Sequence, residues 1–263
     1  MNFIDSMSLE MLINFYVLVV GLIVGSFLNC LIWRLYKDEP LSGRSYCPAC
    51  RHQINWYDNI PVFSFLFLGG RCRNCREKIS WQYPAVEIAT ALLFYLSFLG
   101  LSGSEQFFLD LARAWLLIIV LVVVFVYDSR WQLIPMNFVW PLTAIIFILN
   151  IFLGFPVINL LVSGALTAGF FYLQYVVTKK RGIGEGDIWL GLLLGISFAN
   201  FSEVFLALFL AYLSGSVVGL GFIIIKGKGG KTKIALGPFL AFGAIITLIW
   251  GDVILASYFR LFF

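Results

Sequence analysis

Apolar runs of about twenty residues recur along this 263-residue chain, and they fix its environment before any motif is considered. A helix needs roughly 20 mostly apolar residues to cross a hydrocarbon core of about 30 Å. Blocks of that kind lie at 11–33, 84–101, 107–127, 137–155, 157–178, 187–200, 204–225 and 234–258, parted by short polar or Gly/Pro breaks. With 61% of residues hydrophobic and only 12% charged, there is too little polar surface for a soluble domain of this length. The expected fold is therefore an all-α polytopic membrane protein with about eight transmembrane helices. The first block follows Asp5 and Glu10, with no Lys or Arg before Arg34. It is longer than a signal-peptide core and lacks a basic n-region, so it reads as a permanent span.

Charge placement orients these spans, because short loops that carry Lys and Arg stay on the cytoplasmic side. With the N-terminus outside, one flank receives Arg34 to Lys78, Arg130, Lys179 to Arg181, and Lys226, Lys228, Lys231 and Lys233. That flank holds sixteen of the eighteen cations, leaving Arg113 and Arg260 opposite. An N-out, C-out arrangement follows. The net charge of +4 is accounted for by this bias and by attraction to anionic membrane lipid, not by nucleic-acid binding.

Three segments are expected: a first span at 1–33, a loop domain at 34–83, and a transmembrane core at 84–263. The loop is the only sizeable hydrophilic insertion, and it contains Cys47-Pro-Ala-Cys50 and Cys72-Arg-Asn-Cys75 with 21 residues between the pairs. Each C-x-x-C turn can direct two thiolates at one metal, and two such turns complete the tetrahedral S₄ shell of a structural Zn²⁺. On the cytoplasmic side thiols stay reduced, which disfavours disulfides. His52, the only histidine, reads as a solvated loop residue, and Cys30 as a small hydrophobe packed in the first span. Arg76 occupies the position after the last cysteine, making the turn there less certain than the first.

Asp128 and Asp187 carry the strongest chemical signal. Each lies at the end of an apolar block beside basic residues, and the inferred topology brings both to the same face. Singly, such acids read as helix caps or ion-pair partners. A carboxylate pair sharing one proton can instead activate water and protonate a leaving amine, the chemistry of an aspartic peptidase. Gly182, Gly184 and Gly186 precede Asp187 and are expected to allow unusual backbone dihedrals and close approach of a substrate chain. The block from Asp187 is only about 14 residues, about 21 Å as a helix, which would set Asp187 below the membrane surface. Gly191 and Gly195 have the small-xxx-small spacing of close helix packing.

Taken together, Gly25-Ser-Phe-Leu-Asn29, the two cysteine pairs, Trp56-Tyr-Asp58-Asn-Ile-Pro61, Tyr83-Pro84-Ala-Val-Glu87, Asp128 and Gly184-Glu-Gly186-Asp187 resemble the type IV prepilin peptidases. The similarity extends over most of the chain. It implies a bifunctional enzyme of the bacterial inner membrane. Such an enzyme removes the basic leader of type IV prepilins and pseudopilin precursors after a Gly at the cytoplasmic face. It then methylates the new N-terminal amine with S-adenosylmethionine. By that resemblance Asp128 and Asp187 are the catalytic pair. Asn29, Asp58 and Glu87 are candidates for methyl transfer, each with a structural alternative: an interhelical hydrogen bond for Asn29, a turn for Asp58, an ion-pair partner for Glu87. The competing readings are a zinc-stabilised cation transporter and a noncatalytic membrane assembly scaffold. Oligomeric state is not legible in the sequence.

Overall fold

The computed structural model describes residues 3–180, 182–226 and 235–262. Arg181 and the basic turn that holds Lys228, Lys231 and Lys233 fall outside the described residues. Among those described, the fold is helical: α1 (Phe3–Lys37), α2 (Phe63–Phe67), α3 (Gln82–Leu101), α4 (Phe107–Trp131), α5 (Met136–Phe152), α6 (Val157–Val177), α7 (Glu185–Phe198), α8 (Phe201–Lys226) and α9 (Gly237–Phe262). Each of the eight apolar blocks forms a helix. Six of them, α1, α3, α4, α6, α8 and α9, are long and apolar enough to cross a membrane, whereas α5 and α7 are shorter. The chain is a multi-pass membrane protein, and it divides into two compact units, Met1–Leu99 and Gly100–Phe263.

In the first unit α1 and α3 pack backbone to backbone because α1 carries glycine at the crossings. A Cβ on Gly21 would lie 2.5 Å from the Ala91 Cα, and one on Gly25 2.7 Å from the Glu87 Cα. At the end of α1, buried Arg34 donates to the carbonyls of Leu41, Gly43 and Arg44, winding the chain back on itself. The loop, expected as a hydrophilic insertion, contains the short helix α2, which the sequence reading missed. α2 is preceded by a 3-10 turn at Trp56–Asn59.

The second unit is built around α7, which packs against α5, α6, α8 and α9. It is buried on every side from Leu190 to Phe198 apart from Leu192, as an all-apolar helix at the centre of a bundle must be. Gly191 and Gly195 do what their spacing predicted, placing α7 directly against the Thr167 and Ser163 carbonyls of α6. A Cβ at Gly195 would sit 2.5 Å from the Ser163 oxygen and 2.7 Å from the Gly164 Cα, both backbone atoms that cannot rotate away. Gly195→Ala should therefore cost about 1–3 kcal/mol of overpacking. An unfolding midpoint in detergent equal to that of the parent would show that the two helices separate freely.

A helix this short must dispose of its last carbonyls inside the bundle. Fully buried Asn150 of α5 donates Nδ2–H to the Ile196 carbonyl at 2.7 Å, and Arg113 of α4 reaches the Ser197 carbonyl at 3.5 Å. Arg113 also approaches Asn150 Oδ1 at 3.4 Å and Asp110 at 3.8 Å. A cation at this end complements the helix dipole. Arg113, an outlier in the charge distribution, thus has a structural task.

Candidate active site

Asp128 lies one turn before the end of α4, and Asp187 is the third residue of α7. Both belong to the second unit and both are buried. Each is held the same way. Asp128 Oδ2 accepts the N–H of Gly237, the first residue of α9, at 3.0 Å, and Asp187 Oδ2 accepts the N–H of Gly184, the cap of α7, at 3.0 Å. Helix starts carry unpaired N–H groups and the positive end of the dipole, so they are natural anchors for a carboxylate oxygen.

Space requires glycine at the Gly237 anchor and at Gly186 beside Asp187, whereas the Gly184 anchor has room for a side chain. A Cβ on Gly237 would lie 2.5 Å from Asp128 Oδ2, and one on Gly186 would lie 2.6 Å from Ile134 Cδ1. The expectation of unusual dihedrals at Gly182, Gly184 and Gly186 is corrected: none has positive φ, and Gly184 is plainly extended at φ −81 and ψ 158. Left-handed backbone occurs just upstream instead, at Lys179 and Lys180. Gly237 escaped the sequence reading because it lies 109 residues from the acid it holds and belongs to no motif. Gly237→Ala should displace the Asp128 carboxylate and lower turnover by about 10–100-fold, the scale of a misplacement near 1 Å. Unchanged turnover in the folded variant would mean that the anchor is dispensable.

In the first unit the four sulfurs of Cys47, Cys50, Cys72 and Cys75 lie within 4.8 Å of one another, with Cys47 and Cys75 3.9 Å apart. Sulfurs at about 2.3 Å from a tetrahedral Zn²⁺ stand about 3.8 Å apart, so the set fits that ion. The thiols disfavour joint ionisation without a cation. Backbone N–H donation from His52 and the Asn74 amide bring Cys50 down to about 6. Cys75, despite the Glu77 N–H, is pushed up to about 12 by desolvation and the neighbouring thiols.

The two cysteine turns are one structure used twice. Cys47 N–H donates to His52 O and Arg51 N–H to Cys47 O, while Cys72 N–H donates to Glu77 O and Arg76 N–H to Cys72 O. Bridges at Tyr46–Gln53 and Arg71–Lys78 close both turns. Arg51 and Arg76 share left-handed φ values of 60° and 62°, so the turn at Arg76 is formed as fully as the first. His52 is exposed and lends its backbone; Cys30 is half-buried near Ser45.

The remaining candidates already have partners. Asn29 donates to the carbonyls of Tyr83, at 3.0 Å, and Gly25, at 3.3 Å, and accepts from Gln82. Arg73 grips Asp58 through Nε and Nη2 at 2.6 to 3.1 Å, holding that carboxyl below the usual carboxylate range. Glu87 Oε2 accepts the Val62 N–H at 2.7 Å.

Comparison with known proteins matches residues 19–101 to the bacterial peptidase A24 N-terminal domain and residues 115–220 to the type IV leader peptidase family. Prepilin leader peptidase/N-methyltransferases from Pseudomonas aeruginosa and Aeromonas hydrophila are both 32% identical over 92% of this chain, covering 91% and 92% of those proteins. The chain belongs to the type IV leader peptidase family. A further relative of the same name, from Legionella pneumophila, is 30% identical over 93% of this chain and 94% of its own length. No solved structure is a significant match. The family match at 115–220 contains both aspartates, and the N-terminal match contains all four cysteines with Asn29, Asp58 and Glu87.

Proposed function

We propose that this family member is a membrane aspartic endopeptidase that cleaves the basic leader from prepilins and pseudopilin precursors and then N-methylates the exposed residue. The observation that carries the peptidase assignment is the paired anchoring of Asp128 and Asp187, each buried with one oxygen fixed by a glycine N–H at a helix start. Such acids are presented rigidly to a common substrate. One carboxylate, ionised, takes a proton from water as it attacks the scissile carbonyl; the other, protonated, donates to the carbonyl oxygen and then to the leaving amine. The pair titrates as a unit. A transporter would place its acids near the bilayer midplane. Here both stand at helix ends: Asp128 in the last turn of α4 and Asp187 in the first turn of α7.

In this reading the cation-rich flank is cytoplasmic and both acids lie on it, facing a substrate whose basic leader stays in the cytoplasm while its apolar helix lies in the bilayer. The four thiolates of the loop hold a structural Zn²⁺. S-adenosylmethionine supplies the methyl group. On the adjoining helices α1 and α3, Glu87 and Asn29 provide a carboxylate and an amide that match the charge of a sulfonium donor or of the new amine, and Glu87 orients that amine. Asp58, gripped by Arg73, stabilises the loop beside them.

Purified protein in lipid, given a pilin-like precursor, should release an intact leader and a mature chain. Adding S-adenosylmethionine should raise the mature chain by one methyl mass. Cleavage without any mass increase in the presence of donor would exclude the transferase half while leaving the peptidase standing.

A further inference from the structure

α2 reverses the usual burial pattern of a surface helix. Phe63, Leu66 and Phe67 occupy positions i, i+3 and i+4, so they share one face, and they are 55%, 63% and 87% exposed. The small polar residue between them, Ser64, points inward, 8% exposed and bonded to the Tyr57 carbonyl at 2.9 Å. Ile60, Trp56 and Trp81 add exposed apolar surface from the flanking chain, and Trp81 lies immediately before α3. An apolar face of this size turned outward in water would be an aggregation site.

Two observations say what covers it. The N-terminus of α2 is tied to α3, since Val62 donates its N–H to Glu87, the sixth residue of α3 and about 8 Å along that helix from Gln82. The tether thus holds α2 beside the first two turns of a helix long and apolar enough to cross a membrane, and interfacial helices bury their apolar face over a comparable 5–10 Å. The ridge is also continuous with a membrane-spanning segment through Trp81, whose ring packs on Phe65 at 4.8 Å. The surrounding loop, residues 34–83, carries eight cations against four acids, with Arg71, Arg76 and Lys78 exposed. Juxtamembrane cations of that kind attract anionic headgroups.

We infer that α2 is an interfacial anchor: the Phe63, Leu66 and Phe67 face inserts into the leaflet from which α1 and α3 emerge, and holds the cysteine loop against anionic lipid. Trp56 and Trp81 sit at headgroup level on either side, the usual place for an amphipathic ring.

The test places photoreactive benzoylphenylalanine at Phe67 in the full chain, reconstituted in nanodiscs of phosphatidylglycerol and phosphatidylethanolamine. Irradiation should give lipid adducts by mass spectrometry at a yield at least tenfold above that from the same residue at exposed Gln53. Adducts to a second copy of the chain, or a yield no higher than at Gln53, would overturn the inference. So would loss of lipid adducts to a prepilin-like peptide added in excess, because the ridge would then be a substrate groove. The same label at Leu66 answers the question if the Phe67 variant fails to fold.

Discussion

Asp128→Asn and Asp187→Asn should each lower leader cleavage by at least about a thousandfold, the upper part of the range for losing a positioned acid or base. Asn is the informative replacement because its carbonyl oxygen can still accept the Gly237 or Gly184 N–H, which leaves each helix-start anchor in place. What disappears is the carboxyl's ability to take up and release a proton. Substrate binding should persist, so the loss should fall on kcat with KM little changed. Joint action as one device requires the double variant to be no slower than the worse single one by more than a few-fold. Single-turnover cleavage in nanodiscs, with folding checked by thermal unfolding, measures all three. Near-normal cleavage by both single variants would end the aspartic mechanism.

Cys47→Ser and Cys72→Ser should each lose most of the bound zinc, and with it the protease resistance of the loop between α1 and α3. Structural zinc contributes roughly 10–16 kcal/mol in isolated zinc-finger peptides, a scale against which the apolar core of a fifty-residue loop is small. The loop is otherwise held by scattered polar contacts, among them two isolated bridges, the Arg34 bonds to its first carbonyls, the Asp58–Arg73 grip and the Glu87 tether. Arg51 and Arg76 hold left-handed backbone within these turns, a conformation costly for any residue with a side chain, so the turns are poised to relax once the metal is gone. Metal analysis and limited proteolysis of the whole protein, with a strong chelator as the parallel treatment, check the expectation. Full zinc occupancy in both variants would show that the thiols are not the ligands.

Much of this was legible in the chain because each signal was local. Unbroken apolar runs gave eight helices, and the apolar block from Asp187 gave the length of α7 to within its cap. The cysteine cluster followed from spacing alone, since a C-x-x-C turn has few ways to fold around one metal. The missing parts are those carried by backbone rather than side chain. The repeated cysteine turn runs at a constant offset, from Ser45 to Gly70 and from Ile54 to Ile79 as well as through the thiols, yet few side chains are shared between the copies. Gly237 donates a main-chain N–H across the bundle and looks like any helix-start glycine. Phe63 to Phe67 lie in a segment that averages as polar, so the apolar face of α2 vanished into its surroundings. Of the glycines before Asp187, Gly182 and Gly186 answer a need for room and none answers a need for unusual torsion, two demands that a sequence cannot separate.

The order in which the chain is made gives the cysteine turns one more consequence. All four thiols precede α3, the last of them by only seven residues, so the set is complete before the second long apolar helix has been synthesised. The two cysteine turns, whose sulfurs gather within 4.8 Å, can then meet while α3 is still being made, which shortens the free connection between the two helices. Gly21 and Gly25 on α1 are by then in place to receive the second helix as it arrives.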